Sequence, residues 1–567
     1  MALINPFELQ GADLHDEAGS RAVEQAAYGA LPALSLMRRA GRAVARLVLS
    51  LPCGIAQGPI VVVAGSGHNG GDGWSAALEL KRMSRTVWVW EPLGCTAPDA
   101  QVLRQEALDA HVALTDSPTR PALVIDALLG LGAKGVIRPN AARAIEWMQS
   151  QAEEGVPVLS VDVPSGLCAD TGRALPDATG QGLSVRADHT VSLLTLKPGL
   201  FTGEGREQSG RIWFDDLGAG TQAQQTPAVA QLATGHTVSR LLNASRRDAR
   251  GHWRHGGHKG VHGDVRVLGG AQGMTGAAVL AAHAALRAGA GRVYLHALGA
   301  GRSATGADTE SDKGTDKGAA QATATRTAVG SIVATAWPEI MVAAPPTFEE
   351  ALLKGPCTVV AGCGGGSPIA TMLPALLHRA TRLVLDADAL NALSVDDSLQ
   401  QRLKARQARG LPTILTPHPL EAARLLGCST ADVQADRLKA ATALAERLAC
   451  TVVLKGSGTI TATVGCTAWI NGTGNARLST AGTGDVLAGW IAGAWSALGE
   501  QAASASSPVT VFELAHALAA AVVELHGLAA SAESGAGEGP IDTRATSPHT
   551  RVPLSASDVI DRMANLL

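Results

Sequence analysis

The chain has 567 residues, 46% of them hydrophobic, 17% charged and 3% aromatic, with 65 glycines; 47 basic and 50 acidic residues leave a net charge of −3. That length carries roughly two to four domains, the apolar share excludes global disorder, and the balanced charge offers no basic surface for nucleic acid or an anionic membrane. The eight cysteines contain no C-x-x-C pair, which leaves zinc ribbons and thioredoxin-type motifs unsupported and favours reduced thiols in a cytoplasmic setting.

The first 20 residues lack the basic and apolar stretches of a secretory signal. A helical segment around 24–51 precedes a strand over 60–64, a helix over 74–83 and a strand over 86–90. Strands at 123–126 and 158–163 follow, with a helix over 141–151 between them. Strand and helix in alternation imply right-handed crossovers and a doubly wound, mostly parallel sheet. The spacing places a first domain over 1–220, a linker rich in Ala, Gln and Thr over 221–245, and a second domain over 246–567. The second α/β series has strands at 264–268, 358–361, 383–386, 413–415 and 451–454, with helices over 277–288 and 486–498. The most apolar helix, 511–530, carries Glu513, His516, Glu524 and His526 and reads as packed rather than membrane-spanning. Two Gly/Ser/Thr/Asp-rich stretches, 300–328 and 531–550, have little to bury and read as mobile surface insertions.

After the first strand comes Gly65-Ser66-Gly67-His68-Asn69-Gly70-Gly71-Asp72-Gly73. It satisfies G-x-G-x-x-G, with Glu91 closing the next strand about 20 residues on. Asp72, however, would repel a pyrophosphate held on bare helix N–H groups. Asn69 and Asp72 instead offer oxygens to a hard cation. Two further strand ends carry Asp126 before Gly130-Leu131-Gly132, and Asp162 before Pro164-Ser165-Gly166. Each aspartate alone could cap a turn, but ligands of parallel sheets bind beyond the carboxyl ends of strands, where three such loops converge.

HNGGDGWSAAL, DALLGLG and VDVPSGLCADTG, with Leu36-Met37-Arg38-Arg39-Ala40-Gly41 upstream, resemble the NAD(P)H-hydrate epimerase family, the YjeF N-terminal domain. The family motif opens with two asparagines; here His68 replaces the first. The resemblance implies a potassium (K+) site from Asn69, Asp126 and Ser165. It implies substrate contacts from His68, Asn69, Gly70, Gly71 and Asp72, and from Gly130, Leu131, Gly132, Ala133, Lys134, Gly135 and Val136. Asp162 would be the catalytic general base at carbon 6 of the hydrated nicotinamide.

Near the end of the second domain, Gly482-Thr483-Gly484-Asp485 opens a helix. Its exposed N–H groups and dipole can hold an anion while Asp485 takes a proton from a substrate hydroxyl. The loop has no Walker A lysine, and an aspartate at that place is also a favoured helix cap. Gly362-Cys363-Gly364-Gly365-Gly366, Asp386-Ala387-Asp388, Thr416-Pro417-His418-Pro419-Leu420-Glu421 and Lys455-Gly456-Ser457-Gly458-Thr459 fall at other strand ends. Histidines 252, 255, 258 and 262 lie in a glycine-rich run without carboxylate or cysteine partners at ligand spacing, so no metal is expected there.

HKGVHG, MTGAAVLAAHAALRAGAG, PEIMVAAP, LDADALNAL, TPHPLEAARLL, LKGSGT and AGTGDVLAG together resemble the ADP-dependent NAD(P)H-hydrate dehydratase family, which has a ribokinase-like fold. The overall expectation is thus an N-terminal Rossmann-like three-layer α/β domain followed by a ribokinase-like α/β domain. Carried over, Ala277, Gly364 and His418 would meet the hydrated nucleotide with Asp485 as catalytic residue. Lys455, Gly456, Ser457, Gly458, Thr459 and Gly484 would hold the adenine nucleotide. The resemblance implies NADHX and NADPHX as substrates, ADP as phosphoryl donor with Mg2+, and no membrane or nucleic-acid partner; a homo-oligomer is expected. The two activities together would repair hydrated NADH and NADPH. The competing expectation is a ribokinase-like small-molecule kinase fused to a non-catalytic nucleotide-binding module.

Overall fold

The computed structural model describes residues 11–233, 259–298, 333–343, 356–498, 510–531 and 553–567, apart from a few single positions. It divides into two compact units, with the chain passing from the first to the second at Leu232–Ala233. The stretches 300–328 and 532–550, and histidines 252, 255 and 258, lie outside the described residues.

In the first unit, helices α1 (Glu17–Ala30) and α2 (Ser35–Ser50) precede strand β1 (Ile60–Ala64). The single helix expected over 24–51 is therefore two. Pro32 pushes the residue before it out of the helical region, and Leu34, at φ 63°, forms the left-handed step into α2. Helix α3 (His68–Arg82) connects β1 to β2 (Val87–Trp90), followed by α4 (Pro98–Asp109), β3 (Ala113–Leu114) and β4 (Leu123–Ala127). Helix α5 (Pro139–Glu153) and strands β5 (Val158–Val161), β6 (His189–Leu193) and β7 (Arg211–Asp215) complete the series. The sheet order is β7-β6-β5-β4-β1-β2-β3, and every pair is parallel. The strands are continuous apolar runs because both faces are covered. Residues of α2 and α3 form the core on one face, and Ala141, Ile145 and Met148 of α5 pack on the other.

The chain leaves β1 toward β2 on one side and returns to β4 on the other. That reversal opens a crevice beyond the carboxyl ends of β1 and β4. Helix α3 begins at His68, six residues earlier than expected from the glycine loop, because its glycines serve packing. A Cβ at Gly70 would lie 1.9 Å from the Gly65 carbonyl oxygen, so the first turn can close only on a bare Cα. The expected linker is also partly structured: Gly220–Gln225 is a short helix, and Ala230–Ala233 pairs antiparallel with Ala12–Leu14.

The second unit contains β8 (Asp264–Gly269), α6 (Thr275–Arg287), β9 (Arg292–Ala297), β10 (Ile340–Val342) and β11 (Thr358–Ala361). Strands β12 (Arg382–Leu385), β13 (Thr413–Leu415), β14 (Thr451–Leu454), β15 (Ile460–Ala462) and β16 (Ala468–Asn471) follow, with helices α7 (Pro419–Leu426), α8 (Thr483–Ala497) and α9 (Val511–Ser531). The sheet runs β16-β15-β14-β13-β12-β11-β8-β9-β10. It is parallel from β10 to β14 and antiparallel through β15 and β16. Its order reverses between β8 and β11, which sets a second crevice at the strand ends there. Helices α6 and α8 cross at close range: a Cβ on Gly489 would sit 2.1 Å from the Ala281 carbonyl oxygen.

Helix α9 is long and apolar enough to cross a membrane by composition alone, yet most of its residues are buried in the second unit's core. Glu524 on it is fully buried, and both carboxyl oxygens lack a hydrogen-bond partner. Burial pushes its pKa up to about 8. The folded chain therefore holds a proton that the unfolded chain releases near pH 4.5, and stability falls as pH rises from that value to about 8. Glu524→Gln removes this loss. Denaturant unfolding of the second unit is expected to show the variant close to wild type at pH 5 and more stable by on the order of 3–5 kcal/mol at pH 8. An equal difference at both values would contradict it.

Candidate functional site

The first crevice has a volume of about 340 Å³ and is lined from α1, α2, the start of α3, the turn after β4 and the strand ends of β5 and β6. Asp162 follows β5 directly, at φ 66°, a backbone conformation that Asp tolerates better than most side chains. The turn aims its carboxyl at the Lys197 ammonium, which it meets in an ion pair. The Leu193 amide donates to the same oxygen at 3.1 Å. Lys197 is 1% exposed and also donates to the Leu193 carbonyl at 2.7 Å. Asp72 lines the crevice as well. Its carboxyl is held well above the usual carboxylate range, first by burial and then by the negative charges of Asp162 and Glu24, with Lys197 acting the other way.

Beneath the crevice lies an oxygen-rich knot. Asp126, the fourth residue of β4, is fully buried and accepts from Ser160 Oγ and the Ser165 amide at 2.8 Å, from Ser165 Oγ at 2.5 Å and from the Leu128 amide at 3.3 Å. All these donors are neutral, and burial raises the Asp126 pKa against the pull of these bonds. Asn69 Nδ2 donates to the Leu129 carbonyl at 3.0 Å, while its Oδ1 is buried without a partner.

Of the residues singled out in sequence, His68, Asn69, Asp72, Gly130, Leu131, Gly132, Ala133 and Asp162 line the crevice. Gly70 and Gly71 are buried in α3 instead. Lys134 turns outward to an ion pair with Glu17, Gly135 occupies a left-handed turn, and Val136 is 61% exposed; none of the three lines it. Sequence reasoning did not find Lys197, Glu24, Tyr28 or Arg21. The last three sit on a helix with no motif, and Lys197 reads as an ordinary lysine before Pro198 until β6 turns it inward.

In the second unit, Asp386 stands just beyond β12 and Lys455 just beyond β14, and Lys455 Nζ donates to Asp386 Oδ1 at 2.8 Å. Burial works against the lysine's charge, but Asp386 and Glu421 hold its pKa above the ordinary value. Asp485 lies in the first turn of α8, which begins at Thr483 rather than at 486 because Gly482, at φ 90°, supplies the cap. Its pKa is pushed up to about 6 by burial and then by Asp386. Ligand atoms of Cys363, Asp386 and Asp485 all lie within 4.8 Å of one another, and burial with these two aspartates drives the Cys363 thiol well above its usual range.

Gly364, at φ 57°, approaches so closely that a Cβ there would be 2.5 Å from the Met274 carbonyl and 3.1 Å from Ala277 Cβ. The structure thus brings Gly364 and Ala277 together. A Cβ on Gly484 would lie 3.3 Å from Lys455 Nζ, which joins the α8 turn to the 455–459 turn. There Gly456 and Gly458 have positive φ, and Thr459 Oγ1 donates to the Gly456 carbonyl at 3.0 Å. His418 caps α7, accepting at Nδ1 from the Leu420 and Glu421 amides at 3.1 and 3.4 Å. Burial and then Lys455 lower its pKa. Asp386, Cys363 and Glu421 belong to loops that the sequence marks, but no motif within them signals their partnership.

Removing Asp162 would strand a buried ammonium. Asp162→Ala is expected to destabilise the first unit by about 3–5 kcal/mol in denaturant unfolding, and Asp162→Asn, which keeps a polar partner and tolerates the left-handed turn, by clearly less. Equal stability of the alanine variant and wild type would contradict the ion pair.

Comparison with known proteins follows the same division. Residues 33–199 match the family described as YjeF-related protein N-terminus, and residues 316–535 the family described as NAD(P)H-hydrate dehydratase. The bifunctional NAD(P)H-hydrate repair enzyme Nnr of Escherichia coli (strain K12) is 32% identical over 444 residues, covering 76% of this chain and 75% of that protein. The bifunctional NAD(P)H-hydrate repair enzyme of Leishmania braziliensis is 32% identical over 501 residues, 81% of this chain and 80% of that one. Among solved structures, the ADP/ATP-dependent NAD(P)H-hydrate dehydratase from Bacillus subtilis, co-crystallised with ATP and Mg2+, is 24% identical and covers 58% of this chain and 96% of its own, with a TM-score of 0.38. With a relative of this identity aligned over three quarters of its length, the chain belongs to the family of bifunctional NAD(P)H-hydrate repair enzymes.

Proposed function

We propose that the first unit interconverts the R and S hydrates of NADH and NADPH at carbon 6, and that the second dehydrates the S form at the expense of ADP, giving AMP and phosphate. The observation that carries this reading is the pairing, in each unit, of a switch-point crevice with two aspartates in unlike settings: Asp162 and Asp72 in one, Asp386 and Asp485 in the other.

In the first crevice Asp162 serves as general base at carbon 6, with the substrate held by His68, Asn69 and the turn 130–133. Potassium fits the knot below it. The Asn69 Oδ1 without a partner and the Asp126 carboxylate with only neutral donors call for a hard monovalent cation, and Asn69, Asp126 and Ser165 would hold it. When bound, it would supply the positive charge that keeps Asp126 ionised. A neighbouring phosphate or hydroxyl of the substrate would then meet a fixed field.

In the second crevice Asp485 takes the proton of the carbon-6 hydroxyl as that oxygen attacks the terminal phosphorus of ADP. The N–H groups at the start of α8 and the Lys455 ammonium steady the phosphoryl oxygens, and AMP leaves. The ring nitrogen lone pair then expels phosphate, leaving an N1=C6 iminium, and loss of a carbon-5 proton to water forms the C5=C6 bond and restores the dihydropyridine. Magnesium fits as a companion of the ADP phosphates rather than as an ion caged by the chain: Asp386 already accepts from Lys455, and Mg2+ binds largely through substrate phosphates and water. On the spacing of the cysteines we place the enzyme in the cytoplasm.

Recovery of near-ultraviolet absorbance from a mixed-epimer preparation of hydrated NADH tests both activities. With ADP, recovery beyond the share of one epimer is expected. The rate should fall as pH drops below about 6, because Asp485 must be ionised to act as base. No recovery with either ADP or ATP would overturn the dehydratase reading, and recovery that stops at one epimer would overturn the epimerase reading.

A further inference from the structure

One route that inverts carbon 6 of the hydrated ring has its hydroxyl depart from one face and water arrive at the other. That takes a proton donor on the first face and an acceptor on the second. The crevice of the first unit is lined by three carboxyls, Glu24 from α1, Asp72 from α3 and Asp162 from the turn after β5. Asp162, from the turn after β5, is anchored to the Lys197 ammonium and the Leu193 amide. Asp72, from α3, lines the same crevice, and among the described residues no hydrogen bond or ion pair reaches its carboxyl. It does not hydrogen-bond to Asp126 in the oxygen knot.

We propose that Asp72 is a second catalytic residue of epimerisation, the acid partner of Asp162. The inference rests on the epimerase reading of this crevice. The ring nitrogen lone pair forms the N1=C6 bond while the C6–O bond breaks; the departing hydroxyl carries that bond's electron pair and takes the Asp72 proton, leaving as water. A water on the opposite face then donates an oxygen lone pair to C6, the N1=C6 pair returns to nitrogen, and the water's proton passes to the Asp162 carboxylate. The product is the other epimer, with one proton moved from Asp72 to Asp162 and returned through solvent. Run backwards, the same two transfers convert the opposite epimer.

The electrostatic setting agrees with this division of roles. Glu24 and Tyr28 of α1 and Asp162 face Asp72, together with the Lys197 ammonium, and His68 lies at the mouth against Glu24 at 3.9 Å. Burial with two negative neighbours outweighs the single lysine and holds the Asp72 proton. Lys197, which touches no reacting atom in this scheme, is a positioning residue that aims Asp162. Pairs of carboxyls whose surroundings push their acidities apart are a recurrent source of acid and base roles.

The test uses the full chain and one purified epimer of hydrated NADH, without nucleotide, following conversion to the other epimer by chromatography. Asp72→Asn is expected to lower kcat by about 10²–10⁴-fold with a smaller change in KM, and to abolish the alkaline limb of the wild-type pH profile. Asp72→Glu should recover part of the rate and move that limb. Wild-type turnover in ¹⁸O-water should place one labelled oxygen on carbon 6 per inversion. The proposal is overturned if Asp72→Asn inverts the epimer within a few-fold of wild type, if either variant leaves the alkaline limb in place, or if inversion proceeds without ¹⁸O uptake. A wild-type chain that does not interconvert the epimers would instead overturn the epimerase reading itself.

Discussion

In each unit a lysine, buried in the first and half-buried in the second, meets an aspartate at the carboxyl end of parallel strands, and the rest of each site is arranged around that pair. Lys197 is 1% exposed and meets Asp162; Lys455 reaches Asp386 at 2.8 Å. An ammonium taken out of water costs several kcal/mol unless a carboxylate and further acceptors satisfy it. The aspartate at the strand end supplies the carboxylate, and Lys197 adds the Leu193 carbonyl. A second carboxyl then shares the space without an ammonium of its own. Asp72 and Asp485 are both raised for this reason, with burial first and a neighbouring aspartate next.

The folds bring these groups together through sheet order rather than through sequence proximity. Asp162 and Lys197 are separated by β6, Asp386 and Lys455 by β13 and several helices, and in both units the crevice lies where strand order reverses. Small residues make the approach possible. Gly70 lets α3 begin against the Gly65 carbonyl, and Gly364 lets its loop touch Met274 and Ala277. A chain with 65 glycines and few aromatics can bring loops this close because little side-chain volume stands between them.

Much of this was legible beforehand. Buried parallel strands are uninterrupted Val/Ile/Leu runs, so 60–64, 358–361, 413–415 and 451–454 were read at their observed bounds. Asp126, Asp162 and Asp485 were legible because each stands at a strand end or helix start beside glycines. The start of α3 was not, since glycines disfavour helix by propensity and only the contact with Gly65 shows why they are tolerated. The break at Pro32 was legible in principle from its known effect on the preceding residue. Lys197 carried no local signal: its role depends on β6 lying beside β5, a long-range pairing that motif and periodicity do not encode. Gly135 and Val136 follow from the resemblance to the epimerase family rather than from their own chemistry, and both are exposed in the turn.

The central claim at the first site is that Asp72, the carboxyl without its own ammonium, keeps its proton. Carboxyl-region infrared spectroscopy of the first site tests it most directly, comparing wild type with Asp72→Asn at pH 7. A stretching band of a protonated carboxyl present in wild type and missing from the variant is the predicted result, with the band of buried Glu524 common to both. Identical spectra in that region, with the loss confined to the ionised carboxylate band, would show Asp72 charged at neutral pH and contradict it.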